Sequence, residues 1–346
     1  MITLNKLSKK KFSFFIRYSI IGIFSILLEL TIRKFFLNFI SNSIIVNLFP
    51  LIIGIIFAFI SNISFNFKIP RYYLKKSFIY FSLISISSFF IQFLISKFAI
   101  FHELDYELSR FVISGLVFLV AYNFHIKFSF AKNKKVGVAI YLNDKENIND
   151  VFNKVGFYPD YIHIDFIDNT MSPNSERLKL NKFIEIKKKW PNHRIESHIM
   201  SKYPSQYIDK FSVYSDVIYF HNEINEDIDH IKNSIIKNNV IPGLVLHASK
   251  KYKDIEEIIK SFKEILILCI KNPGESGQNF LDKSETLIKE INNSKKRDKF
   301  NLCVDGGLTE ENVNRIECEK IVSASNIFRN INPKRQIGNF QKLLNN

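Results

Sequence analysis

Cysteine is scarce in this sequence, with three in 346 residues and no paired spacing, which argues against a disulfide-framed secreted protein and against a zinc ribbon. Acidic charge is nearly missing from one part. Residues 1–135 hold 17 basic and 4 acidic side chains, whereas residues 136–346 hold the remaining 31 basic and 29 acidic ones. No Ala-x-Ala-like cleavage site follows the first apolar run, so that run reads as a retained segment and not a signal peptide. No base-reading motif accompanies the formal charge of +15, so no nucleic-acid partner is expected. With 47% hydrophobic residues, 35 of the total being Phe, the chain is too apolar to be disordered. Its length suits about two domains, placed at 1–135 and 136–346.

Four long apolar stretches fill the first part, at residues 12–32, 44–65, 78–95 and 111–130. Each approaches the roughly 20 residues a helix needs to cross a bilayer, which predicts an all-α, four-span membrane domain. The lysines and arginines set its orientation. Lys6, Lys9, Lys10 and Lys11 precede the first stretch, Lys68, Arg71, Lys75 and Lys76 join the second to the third, and Lys132, Lys134 and Lys135 follow the fourth. The connection from Asn38 to Asn47 is uncharged, and the one after the third stretch carries Glu103, Asp105 and Glu107. The positive-inside rule then puts both termini, and whatever follows the fourth span, in the cytoplasm of a cell with this protein in its inner membrane.

Two segments echo one another: Phe59-Ile-Ser-Asn-Ile-Ser-Phe-Asn-Phe-Lys68 and Val120-Ala-Tyr-Asn-Phe-His-Ile-Lys-Phe-Ser-Phe130. Aromatic rings and snorkelling amines suit a membrane interface, which accounts for their composition. With Arg17-Tyr-Ser-Ile-Ile-Gly22 they give residues 12–132 a resemblance to the GtrA-like family of small four-span membrane proteins. That resemblance implies a link to moving polyprenyl-phosphate-linked sugars during cell-surface polysaccharide synthesis. Arg17 and Glu29 fall in or near the first span, where ionisable groups are costly.

From Val136 onward, short apolar runs alternate with amphipathic stretches. Strands are expected at Val136–Tyr141, Tyr161–Phe166, Arg194–Met200, Val217–Phe220, Gly243–His247, Ile265–Ile270, Asn301–Val304 and Lys320–Ser323, with helices such as Asp254–Phe262 and Leu281–Ile291 between them. Eight strand-helix units predict a closed (β/α)8 barrel of the TIM type, with a doubly wound open sheet as the alternative. Cys269 and Cys303 fall on strands and read as core packing.

In a barrel, chemistry belongs at the carboxyl ends of the strands. There the second strand offers His163 and Asp165, two apart and so on one face, with Ile162, Ile164 and Phe166 on the other. His198 ends the third strand and Asp305 the seventh. Two imidazoles and two carboxylates suit one divalent ion: zinc, iron, manganese or cobalt. The loop Asn272-Pro-Gly274-Glu-Ser-Gly277-Gln278, the pair Gly306-Gly307 ahead of a helix capped by Thr309, and Ser325-Asn326 after the last strand offer backbone amides for a phosphate group.

These residues, in this order, make Val136–Leu344 resemble ribulose-phosphate 3-epimerase and its relatives. The family's motifs stand as His163-Ile-Asp165-Phe-Ile-Asp168 followed by Pro173-Asn174, His198-Ile-Met200, Phe220-His221-Asn222-Glu223, Pro273 to Gln278, and Asp305 to Gly307. The resemblance implies a metal-dependent epimerase of a phosphorylated ketose. Asp165 and Asp305 would be the acid-base pair, His163, Asp165, His198 and Asp305 the metal ligands, and Met200, Gly274, Gly277, Gln278, Gly306, Gly307 and Ser325 the residues toward substrate and phosphate. Asp168 is expected to brace its loop.

Departures from the family fall on the substrate side. Leu142 stands where the first strand's sugar-touching Ser is expected, Asn169 replaces a Gly, Met171 a Phe and Ile167 a Met, His247-Ala248 replaces Asn-Pro, and Lys271 an apolar residue. Retained proton chemistry on a different sugar is the reading this supports. The alternative is a lipid-linked-sugar carrier whose barrel is a sugar-phosphate-binding or weakened module. Expected partners are a phosphorylated ketose, the bilayer, a polyprenyl-phosphate-linked sugar and a second copy of the chain in a homo-oligomer.

Overall fold

The computed structural model describes the chain except for residues 1, 41–42, 68, 70–72, 102–105, 131–133, 143–146, 174, 176–177, 296 and 343–346. It divides into two compact units, Met1–Lys132 and Asn133–Asn345.

The first unit is helical: α1 (Ile2–Leu37), α2 (Ser43–Ser61), α3 (Leu74–Phe101) and α4 (Tyr106–Phe124). Each of the two echoed segments ends in a π turn, at Asn62–Asn66 after α2 and at His125–Ser129 after α4. Polar side chains of both turns are hydrogen-bonded. Asn62 Nδ2 donates to the Ala58 carbonyl at 2.9 Å, Asn66 Nδ2 to Phe14 O at 3.1 Å, and His125 Nδ1 lies 2.9 Å from Ser129 Oγ. The aromatics that close the echoes then meet, Phe67 stacking on Phe130 with centroids 4.2 Å apart. Tyr18, Phe59, Phe81, Tyr122 and Phe130 form the buried cluster of this unit.

Among the described residues two helical stretches are long and apolar enough to cross a membrane, Leu48–Asn66 and Leu74–Ile95. They coincide with the second and third of the four expected spans. The 12–32 stretch lies within α1 and the 111–130 stretch covers α4 and its π turn; the first contains Arg17 and Glu29, the other His125 and Lys127. Large apolar side chains face outward from this unit, Phe12 at 63% and Phe98 at 60% exposure among them.

The second unit alternates strand and helix: β1 (Lys135–Tyr141), α5 (Ile148–Val155), β2 (Tyr161–Ile167), α6 (Leu180–Lys189), β3 (Arg194–Met200), α7 (Ser205–Ser212), β4 (Val217–His221), α8 (Ile228–Lys237), β5 (Ile241–His247), α9 (Tyr252–Ile259), β6 (Glu264–Leu268), α10 (Lys283–Asn292), β7 (Asn301–Asp305), α11 (Glu310–Arg315), β8 (Lys320–Ser323), α12 (Ser325–Phe328) and α13 (Pro333–Lys342). All eight strands are parallel, and β8 pairs with β1, so the sheet is a closed barrel and not a doubly wound open sheet. Strand periodicity sorts the side chains into two layers. Val136, Val138, Ile140, Ile162, Ile164 and Phe166 pack outward under the helices, while Ala139, Tyr161, Tyr219, Val245, Leu266 and Cys303 fill the lumen.

Two findings correct the expectations. Leu142 belongs to the outer layer at 0% exposure, because it shares its face with Ile140; Ala139 and Tyr141, on the other face, line the cleft at the barrel mouth. Lys134, grouped from sequence with a membrane-flanking basic cluster, is 2% exposed and donates to the Val313 carbonyl and, at 2.7 Å, to Ile316 O at the end of α11. That is where a cation meets the helix dipole and its unpaired carbonyls.

A charged plug that sequence reading missed closes the lumen below the cleft. Lys320 Nζ lies 2.8 Å from Glu196 Oε1, 2.7 Å from Glu264 Oε2 and 2.8 Å from Tyr219 Oη. Arg194 reaches both carboxylates at 2.9 Å. The pairing residues lie on β3, β4, β6 and β8, so local spacing carried no signal for it.

Candidate active site

At the carboxyl end of the barrel, His163 and Asp165 on β2, His198 on β3 and Asp305 on β7 place one ligand atom each within 4.8 Å of every other. Asp165 Oδ1 lies 3.1 Å from His198 Nδ1 and 3.4 Å from His163 Nε2. His163 is fully buried, yet among the described residues neither of its ring nitrogens has a hydrogen-bond partner. A buried imidazole without partners is costly in a protein alone, and a cation taking the lone pair of one nitrogen offsets part of that cost. The donor set, two imidazoles and two carboxylates from separate strands, therefore fits a divalent ion.

The electrostatics agree with that fit. Burial lowers the pKa of His198 to about 4, the neighbouring Asp165 only partly opposing it, so the ring is neutral at physiological pH and one ring nitrogen has a lone pair to offer. Burial works against ionisation of Asp165, but the imidazoles of His163 and His198 outweigh it and hold this carboxyl low. Asp305 goes the other way, raised by burial and then by the charge of Asp165. Two like carboxyls with opposed shifts are a recognised basis for an acid and a base in one site.

Behind His198 runs a chain that the motif Phe220-His221-Asn222-Glu223 only hinted at. His198 Nε2 lies 2.9 Å from His221 Nε2, His221 Nδ1 3.6 Å from Glu223 Oε2, and Glu223 Oε1 3.1 Å from Lys250 Nζ. Burial would raise Glu223, but His221 and Lys250 bring it down to about 2.

The cleft itself has a free volume of about 50 Å³, and Asp165, His198 and Asp305 all reach it. Met200, at the end of β3, lines it as expected from sequence, and so does Ser325 after β8. Gly274, Gly277, Gly306 and Gly307 take φ of +79°, +80°, +97° and +66° in turns that also line it. At Gly307 no side chain is possible: a Cβ would sit 2.3 Å from the backbone nitrogen of Phe280. Gln278 lines the cleft too, although its carboxamide serves the turn. It donates to Asn272 O at 2.7 Å and Glu275 O at 2.8 Å and accepts from Asn272 N at 3.0 Å. Thr309 caps α11 in a capping box with Asn312.

Asp168 stands apart from the four-residue cluster. It accepts from Ser201 Oγ, Thr170 N and Tyr207 Oη and so ties the loop after β2 to β3 and α7. Asn174 lies outside the described residues.

Residues 136–328 match the model of the ribulose-phosphate 3 epimerase family. The chain belongs to that family. Among curated relatives, the ribulose-phosphate 3-epimerase of Helicobacter pylori strain ATCC 700392 / 26695 is 28% identical over 196 residues, covering 53% of this chain and 86% of that protein. The Escherichia coli K12 ribulose-phosphate 3-epimerase is 25% identical over 177 residues, 49% of this chain and 77% of that one. Among solved structures, 3-hexulose-6-phosphate synthase from Salmonella typhimurium is similar at 15% identity with a TM-score of 0.45, covering 61% of this chain and 98% of that one. As a member of the epimerase family the chain is a carbohydrate epimerase, an isomerase.

Proposed function

We propose that this protein is a membrane-tethered, metal-dependent epimerase that inverts the carbon next to the carbonyl of a phosphorylated ketose. The observation that carries the reading is the convergence of His163, Asp165, His198 and Asp305 to within 4.8 Å at a cleft that glycine turns also line. Those turns suit a phosphate group, and the cluster suits the other end of the substrate.

His163, Asp165, His198 and Asp305 would hold one divalent ion, zinc, iron, manganese or cobalt, which when bound supplies positive charge beside the substrate carbonyl. The rest is work for the chain. Asp165 takes the proton from the carbon next to the carbonyl, and Asp305, in its protonated form, returns one to the opposite face. The electron pair left on carbon by the first transfer forms the new bond to hydrogen in the second, so configuration inverts with no net redox change. Met200 excludes water on one side of the cleft.

The first unit would tether this chemistry to the bilayer. Supporting this are its two apolar stretches, its outward-facing Ile, Leu and Phe side chains, and the lysine-rich connections that favour four spans with the barrel in the cytoplasm. The GtrA-like pattern, with its paired π turns, favours a part in cell-surface polysaccharide synthesis, with a polyprenyl-phosphate-linked sugar as a partner; self-association belongs to the same proposal. An intact acid-base pair favours an enzyme over a barrel that only binds sugar phosphates.

The metal-loaded full chain in detergent, incubated in deuterated solvent with a panel of pentulose and hexulose phosphates, is expected to incorporate deuterium next to the carbonyl of at least one. No exchange with any of them counts against the proposal.

A further inference from the structure

The cleft has an electrostatic gap. Among the described residues that line it the ionisable side chains are Asp165, Asp305, Glu275, His198 and Tyr141, with no lysine or arginine. A divalent ion would balance the two aspartates and leave nothing for a phosphate dianion at the other end, where the glycine turns offer neutral amides beside Glu275. A guanidinium can add charge-assisted, bidentate hydrogen bonds to those such amides make with a phosphate.

One guanidinium is placed to fill the gap. Arg329 closes α12, one helical turn beyond Ser325, and its backbone N–H donates to Ser325 O at 3.0 Å. Its side chain runs back across the Asn272–Gln278 turn and lies against Gly277. A Cβ at that position would sit 3.0 Å from Arg329 Nη2 and 3.4 Å from Nη1. Glycine at 277 thus serves twice, allowing φ of +80° and clearing the space the guanidinium occupies. Among the described residues no carboxylate lies within ion-pairing distance of Arg329, although Glu275 is in the same turn and accepts from Asn272 Nδ2 at 2.9 Å. An exposed arginine packed on a cleft-lining turn and left without a counter-ion has its donors available for an incoming anion.

We infer that Arg329 is a substrate-binding residue, a cation at the rim of the glycine turns that pairs with the phosphate monoester of the substrate. It acts on affinity and on the choice of phosphorylated over unphosphorylated sugars, since the phosphate keeps its charge throughout the proton transfer. This rests on the sugar-phosphate reading of the site.

The test uses the full-length chain and its Arg329→Met and Arg329→Lys variants, with two readouts. The first is turnover of a ribulose phosphate. Arg329→Met is expected to raise KM by roughly tenfold or more, well beyond any fall in kcat, with Arg329→Lys recovering part of the loss, as a charge-assisted hydrogen bond requires. The second is thermal protection by inorganic phosphate, which needs no turnover: the concentration giving half-maximal protection should rise by a similar factor in Arg329→Met. KM and phosphate protection both within twofold of the parent would overturn the inference, as would a parent chain that phosphate does not protect at all. Protection of the parent but not of Arg329→Met, with no sugar phosphate turned over, would keep Arg329 as an anion-binding residue and sink the epimerase reading instead.

Discussion

Nε2 of His198 and Nε2 of His221 lie 2.9 Å apart, so one ring must donate and the other accept. The other nitrogen of His198 faces Asp165 in the four-residue cluster, and the other nitrogen of His221 faces Glu223. A ligating Nδ1 on His198 requires its proton on Nε2; His221 then accepts at Nε2 and presents its own Nδ1–H to Glu223. Glu223, kept ionised by His221 and Lys250, fixes the direction of the whole chain.

Breaking that chain should loosen metal binding. His221→Phe preserves the ring's volume and removes the acceptor, so affinity for cobalt, followed by its visible absorption, is expected to fall roughly 10- to 100-fold. His221→Gln, which can still accept, should retain most of it. Equal affinity in all three proteins would show that His221 only fills space.

Asp165→Asn and Asp305→Asn should each lower epimerisation by at least about 100-fold, the scale of a lost general acid or base. The two differ in a single-turnover deuterium experiment: without Asp165 no proton leaves the substrate from its side, while without Asp305 exchange can persist with little inversion. Inversion at parental rate in either variant would remove that residue from proton transfer.

The lumen plug makes stability depend on pH. Burial alone would raise Glu264, but Lys320 and its other partners outweigh it and leave its folded pKa below the ordinary value. A carboxyl depressed by folding contributes stability above its unfolded pKa, and that contribution is lost as pH falls through the folded one. The melting temperature should therefore drop on going from pH 6 toward pH 3. Lys320→Met strands Glu196 and Glu264 in the lumen without their ammonium, which should cost about 3–5 kcal/mol near neutrality and weaken or reverse the acid trend. A thermal scan across pH on both proteins reads the difference.

Leu142 offers a check on which layer of the barrel meets the substrate. Leu142→Ser deletes a fully buried apolar side chain between β1 and the helices, so a loss of about 2–4 kcal/mol in unfolding free energy is expected, with kcat/KM of the folded fraction unchanged. A large change in kcat/KM with unaltered stability would return Leu142 to the substrate side.

Much of this was readable before any coordinates. Short apolar runs separated by amphipathic stretches mark the eight strands to within a residue or two, since a parallel strand covered on both faces must be apolar along most of its length. The expected sixth strand ran on to Ile270, past the observed Leu268, because Cys269 and Ile270 are as apolar as the strand itself. His163 and Asp165, two apart on β2, share a face by strand geometry, and Gly274, Gly277, Gly306 and Gly307 fall in turns as their spacing suggests. The error at Leu142 came from matching a position by motif; the pleat would have put Ala139 and Tyr141 inside.

Other relationships have no trace in local pattern. Asp165 and Asp305 are 140 positions apart in the chain, and only pairing of β8 with β1 closes the sheet that brings β2 and β7 to one mouth. Closure likewise sets Lys320 between Glu196 and Glu264 and lays Arg329 on Gly277, while the register of β3 against β4 aims His221 at His198. Periodicity and turn chemistry are written within a few residues of each element, so the strands, the turns and the ligand-bearing strand ends follow from the amino-acid order. Which side chains become neighbours is decided by how eight tilted strands meet around a common axis, and that depends on the packing of the whole barrel at once.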